Sequence, residues 1–174
     1  PRRARGDELL GAGELTRVRE RLRSRAREHD LTSVIACAFD HRTRMLPFIF
    51  ADTRMIPAGV RAIGSALADA GFDRTRIVLQ QWNRNFRPSQ MQLDGRIPDV
   101  FMVSSMSLHS ERCKDLIRDA HRIDPARRPL IVAGGPHAIY EPYDLFRAHA
   151  ARPGGADVVV TGEEPLVVAG LSDG

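Results

Sequence analysis

From residue 32 onward, short apolar runs alternate with amphipathic stretches. Residues 100–104 (VFMVS), 130–133 (LIVA) and 157–161 (DVVVT) have the near-continuous hydrophobicity of parallel strands buried on both faces, and 76–80 (RIVLQ) is a shorter run of the same kind. Two further runs, 32–39 (TSVIACAF) and 45–50 (MLPFIF), flank the polar turn 40–44 and suit a hairpin. The pattern predicts 45–50 as the first strand of the sheet, with 33–39 pairing at an edge. Between the runs lie helices. Pro57 to Gly71 sets Val60, Ile63 and Leu67 on one face, with Pro in the first turn and Gly at the stop. Cys113, Leu116, Ile117 and Ala120 follow the i, i+3, i+4, i+7 template, in a helix ending near Asp124-Pro125. Pro142 to Ala150 reads as a helix, and Pro165 to Leu171 begins another. The polar stretch 81–98, which holds Trp82 and Phe86, is a loop with one helical turn near Pro88 to Leu93.

Strand and helix therefore alternate with crossovers long enough for parallel pairing, which predicts an α/β fold. It is a doubly wound, five-stranded parallel sheet of the flavodoxin-like or Rossmann-like type. Such sheets bind ligands beyond the carboxyl ends of their strands. Here those ends are Asp52 to Pro57, Gln81 onward, Ser104 to Leu108, Gly134 to His137, and Thr161 to Glu164.

Charge changes this picture little. The net charge is +4, and 25 of the 26 basic residues are Arg, Lys114 being the exception. Residues 1–30 carry nine Arg against six acids, so most of the excess sits in one segment. Within it Leu15, Val18 and Leu22 trace a thin apolar stripe. We expect residues 1–31 to be an Arg-rich helical extension and 32–174 the α/β domain. No apolar run approaches the roughly 20 residues of a membrane span, and no signal core follows Arg2, Arg3 and Arg5, so a cytoplasmic location is expected. Cys37 and Cys113 are too few and too far apart for a disulfide scaffold or a zinc knuckle, and both read as buried thiols.

Common chemical motifs are missing. No GxGxxG follows a strand, no GxxxxGK[ST] phosphate loop is present, and no GxSxG elbow appears. Thr161-Gly162 stands where a phosphotransfer receiver would carry its Lys.

What the chain does contain, in order, is Pro57-Ala58-Gly59, Pro98-Asp99-Val100 leading into Val103-Ser104-Ser105, Val132 to Ala138 (VAGGPHA), and Ala156 to Glu163 (ADVVVTGE). Over about residues 45–171 this resembles the N-terminal cobalamin-binding domain of cobalamin-dependent radical S-adenosylmethionine enzymes. The third and fourth places of Gly162-Glu163-Glu164-Pro165 depart from that family's usual Gly-Glu-Gly-Glu or Gly-Glu-Ala-Glu. The resemblance implies a cobalamin site built from Asp52, Thr53, Arg54, Met55, Pro57, Ser104, Ser105, Met106, Ser107, Gly134, Gly135, Pro136, His137, Gly162 and Glu163. In it Gly134 and Gly135 let the nucleotide tail pass close to the backbone, while serine hydroxyls bond tail or corrin amides. His137 is either a polar contact to the corrin edge or a plain loop residue. Trp82 and Phe86 either cover the corrin or form a small cluster under the loop.

In mutase-type relatives a DxHxxG histidine ligates cobalt. Asp52-Thr53-Arg54-Met55-Ile56-Pro57 lies where that motif would lie, with Arg54 in the histidine's place. Arginine has no lone pair to donate, so no protein metal ligand is expected. No CxxxCxxC is present to hold a [4Fe-4S] cluster. The resemblance thus implies that this chain is a fragment with no catalytic residues of its own. Its parent would supply a radical S-adenosylmethionine domain, with S-adenosylmethionine and the iron–sulfur cluster, for methyl transfer or a related radical reaction. The competing expectation is a non-catalytic flavodoxin-like interaction module that docks through its Arg-rich helix. Nucleic acid is not an expected partner.

Overall fold

The structure is a computed structural model, and it describes residues 12–42, 58–146 and 154–162. Helix α1 (Ala12–Glu28) leads into β1 (Ser33–Cys37), followed by α2 (Ala58–Asp69), β2 (Thr75–Leu79), β3 (Val100–Ser104) and α3 (Ser110–Ala120). After β4 (Leu130–Gly134) come two short helices, α4 (Pro136–Tyr140) and α5 (Pro142–Leu145), and then β5 (Val158–Val159). The five strands form one sheet in the order β2-β1-β3-β4-β5, and every pairing is parallel. This is the doubly wound α/β sheet that the alternation of elements implies.

Side-chain alternation along the strands explains the two layers. Val34 and Ala36 of β1, Phe101 and Val103 of β3, and Ile131 and Ala133 of β4 share a core with Cys113, Leu116, Ile117 and Ala120 of α3. Their neighbours Ile35, Val100, Met102 and Val132 point to the other face, where Val60 and Leu67 of α2 and Leu22 of α1 cover them. Leu22 is buried, and Arg23 Nε donates to the Asp69 carbonyl at 2.9 Å, so α1 is docked on the α2 layer. The side chains of Leu15 and Val18 lie outside the described set.

Two expectations are corrected. Residues 33–37 are no edge strand: they pair with both β2 and β3, because apolar side chains on both faces can be buried only in the interior of a sheet. The edge is β2, where Arg76 and Ile77 are exposed. The helix expected over 142–150 stops at Leu145, and Phe146 turns extended to bridge Ala156. Burial of Leu145 in the core and the 2.7 Å bond from Ala156 N to its carbonyl set that stop. The strand expected at 45–50 and the helix expected at 165–171 lie outside the described residues, as do 147–150. Phe86 packs against the main core, its ring 6.4 Å from Phe101, while Trp82 stays half exposed.

Carboxylates pin the amino ends of the strands. Asp99 Oδ2 accepts from both the backbone N–H and the hydroxyl of Thr32, each at 2.8 Å, and Thr32 is fully buried. Asp157 accepts from the Ile131 N–H at 3.0 Å and so closes the same edge of β4.

Candidate functional site

Strand order reverses between β1 and β3, so the crevice of this fold opens at their carboxyl ends. The structure brings the exits of β3 and β4 together there. Ser105 N–H donates to the Gly134 carbonyl at 3.2 Å, and His137 N–H donates to the Ser105 carbonyl at 3.1 Å. Gly135 has a φ of +92°, and a Cβ on it would fall 2.6 Å from Ser104 Oγ and 2.9 Å from the Ser105 carbonyl oxygen. Its missing side chain is therefore a requirement of the chain's own packing. Gly134 differs: a Cβ there would meet nothing closer than the Val160 carbonyl oxygen at 3.8 Å, and at Gly162 nothing lies within 4 Å among the described residues. Gly134 could therefore carry a Cβ at ordinary contact distance from Val160, and open space among the described residues lies beside Gly162.

His137 is buried in the first turn of α4, where Pro136 starts the helix directly after Gly135. Its Nδ1 meets Ser107 Oγ at 3.3 Å and its Nε2 meets Asp144 Oδ2 at 3.0 Å. Asp144 in turn pairs with Lys114 at 3.0 Å, and Lys114 with Glu111 at 2.6 Å. Partial burial would raise the Asp144 pKa, but hydrogen bonds from His137 and Lys114 outweigh it and hold the carboxyl below its usual range. Burial likewise works against the Lys114 ammonium, and its two carboxylate partners more than restore it. This chain of contacts ties α3, α4 and α5 to the segment after β3. Both nitrogens of His137 are engaged within the protein.

The serines divide by exposure. Ser104 is half-buried and Ser107 exposed, whereas Ser105 is buried with its hydroxyl lacking a well-formed hydrogen bond. That hydroxyl interacts with the Cys113 thiol, whose pKa burial raises to about 12 against the opposing pull of Ser105. Around them Met106, Leu108 and Ile139 each expose more than a third of their surface, which forms an apolar rim on a polar floor. Asp52, Thr53, Arg54, Met55, Pro57 and Glu163 lie outside the described residues.

The far side of the crevice holds a cluster the motif reading missed. His109, buried after β3, accepts a hydrogen bond at Nδ1 from the Asp40 N–H at 3.2 Å and packs its ring 4.6 Å from Phe39. Burial lowers its pKa, against the attraction of Asp40. Arg42 clasps Asp40 through two bonds of 2.9 Å and reaches Asp115 at 3.3 Å, while His41 Nε2 donates to the Gln80 carbonyl at 2.9 Å. The Arg42 side-chain hydrogen bond holds Asp40 below the usual carboxylate range. The signal for it in the sequence is the run Phe39 to Arg42 directly after 33–37, which becomes a strand exit only when 33–37, and not 45–50, is the first strand.

A five-stranded parallel sheet in this order, with glycines and serines at its carboxyl edge, is that of a flavodoxin-like ligand-binding domain. The chain belongs to the B12 binding domain family, whose model matches residues 50–172. Its ligand is thus cobalamin. The match starts beyond β1, so one interior strand of the sheet lies ahead of it in the chain. No curated protein and no solved structure matches the chain. Among the described residues no helix is long and apolar enough to cross a membrane.

Proposed function

We propose that cobalamin lies across the exits of β3, β4 and β5, and that the domain presents it to a radical S-adenosylmethionine domain of the same parent enzyme. The observation that carries the placement is the joining of 104–107 to 134–137 at one strand edge, with no clash at Gly134 and open space beside Gly162 among the described residues. The residues fit the group: space next to backbone suits a nucleotide tail, and the apolar rim of Met106, Leu108 and Ile139 suits the face of a corrin. Ser104 and Ser107 offer hydroxyls to its amides. Ser105, Gly135 and Pro136 shape the floor, and His137 braces Ser107 from below. Asp52, Thr53, Arg54, Met55 and Pro57 are assigned to the lower face of the corrin, and Glu163 to the β5 exit.

Bound cobalamin supplies a cobalt centre able to carry a transferable methyl group. The role of this chain is to bind and orient it while leaving the lower face of cobalt without a histidine. Arg54 stands in that histidine's place in the motif, and His137 is occupied on both nitrogens. The division into an extension at 1–31 and a domain at 32–174, and a cytoplasmic location, belong to the same reading.

The test uses the full-length parent, because the isolated domain desolvates one face of a large ligand and is expected to hold it weakly. Reconstitution followed by gel filtration should leave corrin absorbance with the protein, and none would overturn the placement. The reduced cofactor's electron paramagnetic resonance lines should lack nitrogen splitting. Splitting that disappears in His137→Ala would show that the lower ligand had been misassigned. Iron–sulfur absorbance in the parent, dependent on its own cysteines, tests the radical partnership.

A further inference from the structure

Beside the exit of β2, the loop that follows this strand folds back along α3 and bounds a groove of about 420 Å³. Five guanidinium groups line it, those of Arg84, Arg87, Arg112, Arg118 and Arg122. Arg112 and Arg118 lie on α3 and Arg122 just beyond its end, so the positive charge forms a stripe along the helix.

The two lining carboxylates are already committed. Asp115 binds Arg118 at 3.0 Å and Arg42 at 3.3 Å. Asp119 accepts the Ser89 N–H at 2.9 Å and faces Arg122 at 3.7 Å. Arg84 and Arg87 are exposed and have no carboxylate partner among the described residues.

The groove is also built to hold its shape. Arg112 Nε donates to Gln80 Oε1 at 2.7 Å, and Gln80 is wholly buried with its own amide donating to the Asn83 carbonyl at 2.9 Å. The Asp119–Ser89 bond clamps the loop onto α3 just beyond Arg87 and Pro88. Guanidinium forks match phosphate oxygens in pairs, and a concave surface of one sign concentrates its field on an entering anion.

We propose that this groove is a binding site for an oligophosphate group, either free or as the tail of a nucleotide. The surplus of three positive charges along the stripe asks for several linked anionic groups, more than a single phosphate carries. The site is independent of cobalamin binding and of the reading above.

Isothermal titration of the full chain in buffer without magnesium tests it, with inorganic tripolyphosphate, a nucleoside triphosphate, orthophosphate and poly-glutamate as probes. Tripolyphosphate should bind saturably at one site and well ahead of orthophosphate. The exposed-loop double variant Arg84→Glu, Arg87→Glu should keep its thermal midpoint and weaken that binding about a hundredfold, two charge-assisted contacts at roughly tenfold each. Arg61→Glu, an exposed arginine on α2 across the sheet, should leave it unchanged. A nucleoside triphosphate binding more tightly than tripolyphosphate identifies a nucleotide as the source, and equal affinities identify the oligophosphate alone. Absence of saturable heat at millimolar tripolyphosphate overturns the proposal, as does equal weakening by Arg61→Glu. Tighter binding of poly-glutamate would assign the groove to an acidic polypeptide instead.

Discussion

The two edges of the sheet are built on different principles. At the amino edge, carboxylates reach across strand entries: Asp99 takes two donors of buried Thr32, and Asp157 takes the Ile131 N–H. At the carboxyl edge the strands end in glycines and serines, where a Cβ on Gly134 would only touch Val160 at ordinary distance and Gly162 has open space beside it among the described residues. The difference teaches where stability is concentrated and where a ligand is admitted. Gly135 is the exception at the carboxyl edge, since its missing side chain is filled by Ser104 and Ser105 of its own chain.

The largest expected effect tests that exception. Gly135→Val forces a Cβ into Ser104 at a positive φ, and urea unfolding should show a loss of about 3 kcal/mol or more. The matched change Gly162→Ala should stay within about 0.5 kcal/mol. Equal effects at the two glycines would erase the distinction between packed and open exits.

Next comes the amino edge. Asp99→Ala strips Thr32 of two partners and should cost about 2 kcal/mol in the same unfolding experiment. Cobalamin retention by the full-length parent should not change, because the substitution lies at the opposite end of the strands. Gly134→Val should behave in the converse way, with stability nearly kept and corrin absorbance after gel filtration sharply reduced.

The smallest effect concerns pH, and it sharpens the comparison by separating the two sides of the crevice. Burial depresses the His109 pKa below 6.5, so the unfolded chain takes up the proton first as pH falls. The contribution of His109 is complete above pH 6.5 and is lost on acidification toward its folded value. Asp40 and Asp144 have lowered pKa values, so their contributions persist until pH falls below about 3.8. Thermal midpoints from pH 7.5 to 5 should decline less in His109→Gln than in the unchanged protein. Extended below about pH 3.8, the same scan should show Asp40→Asn flattening only that more acidic part.

Much of the fold was legible because its signals are local. The runs at 100–104 and 130–133 are apolar on both faces, and α3 carries its period in Cys113, Leu116, Ile117 and Ala120, so each announces itself without its partners. The position of β1 was not legible. Residues 33–37 and 45–50 are both apolar runs of strand length, and nothing local distinguishes a central strand from an edge strand. That misplacement hid the cluster of Phe39, Asp40, Arg42 and His109, whose members lie up to 70 residues apart and meet only when β1 pairs with β3.

By itself the sequence determined the class of fold and the exits of β2, β3, β4 and β5, since periodicity and glycine placement act over a few residues. Tertiary structure alone decided which of those residues do what. Gly134 and Gly135 are identical neighbours in the chain, yet a Cβ would fit at ordinary contact distance on one and collide on the other, because Ser104 arrives beside only one of them. His137 reads in isolation as a corrin contact or a plain loop residue at a strand end, but Ser107 and Asp144 meet its two nitrogens from two other segments, and Lys114 holds Asp144 in turn. Distances of this kind are set by how helices pack on the sheet, a property no single stretch of chain encodes.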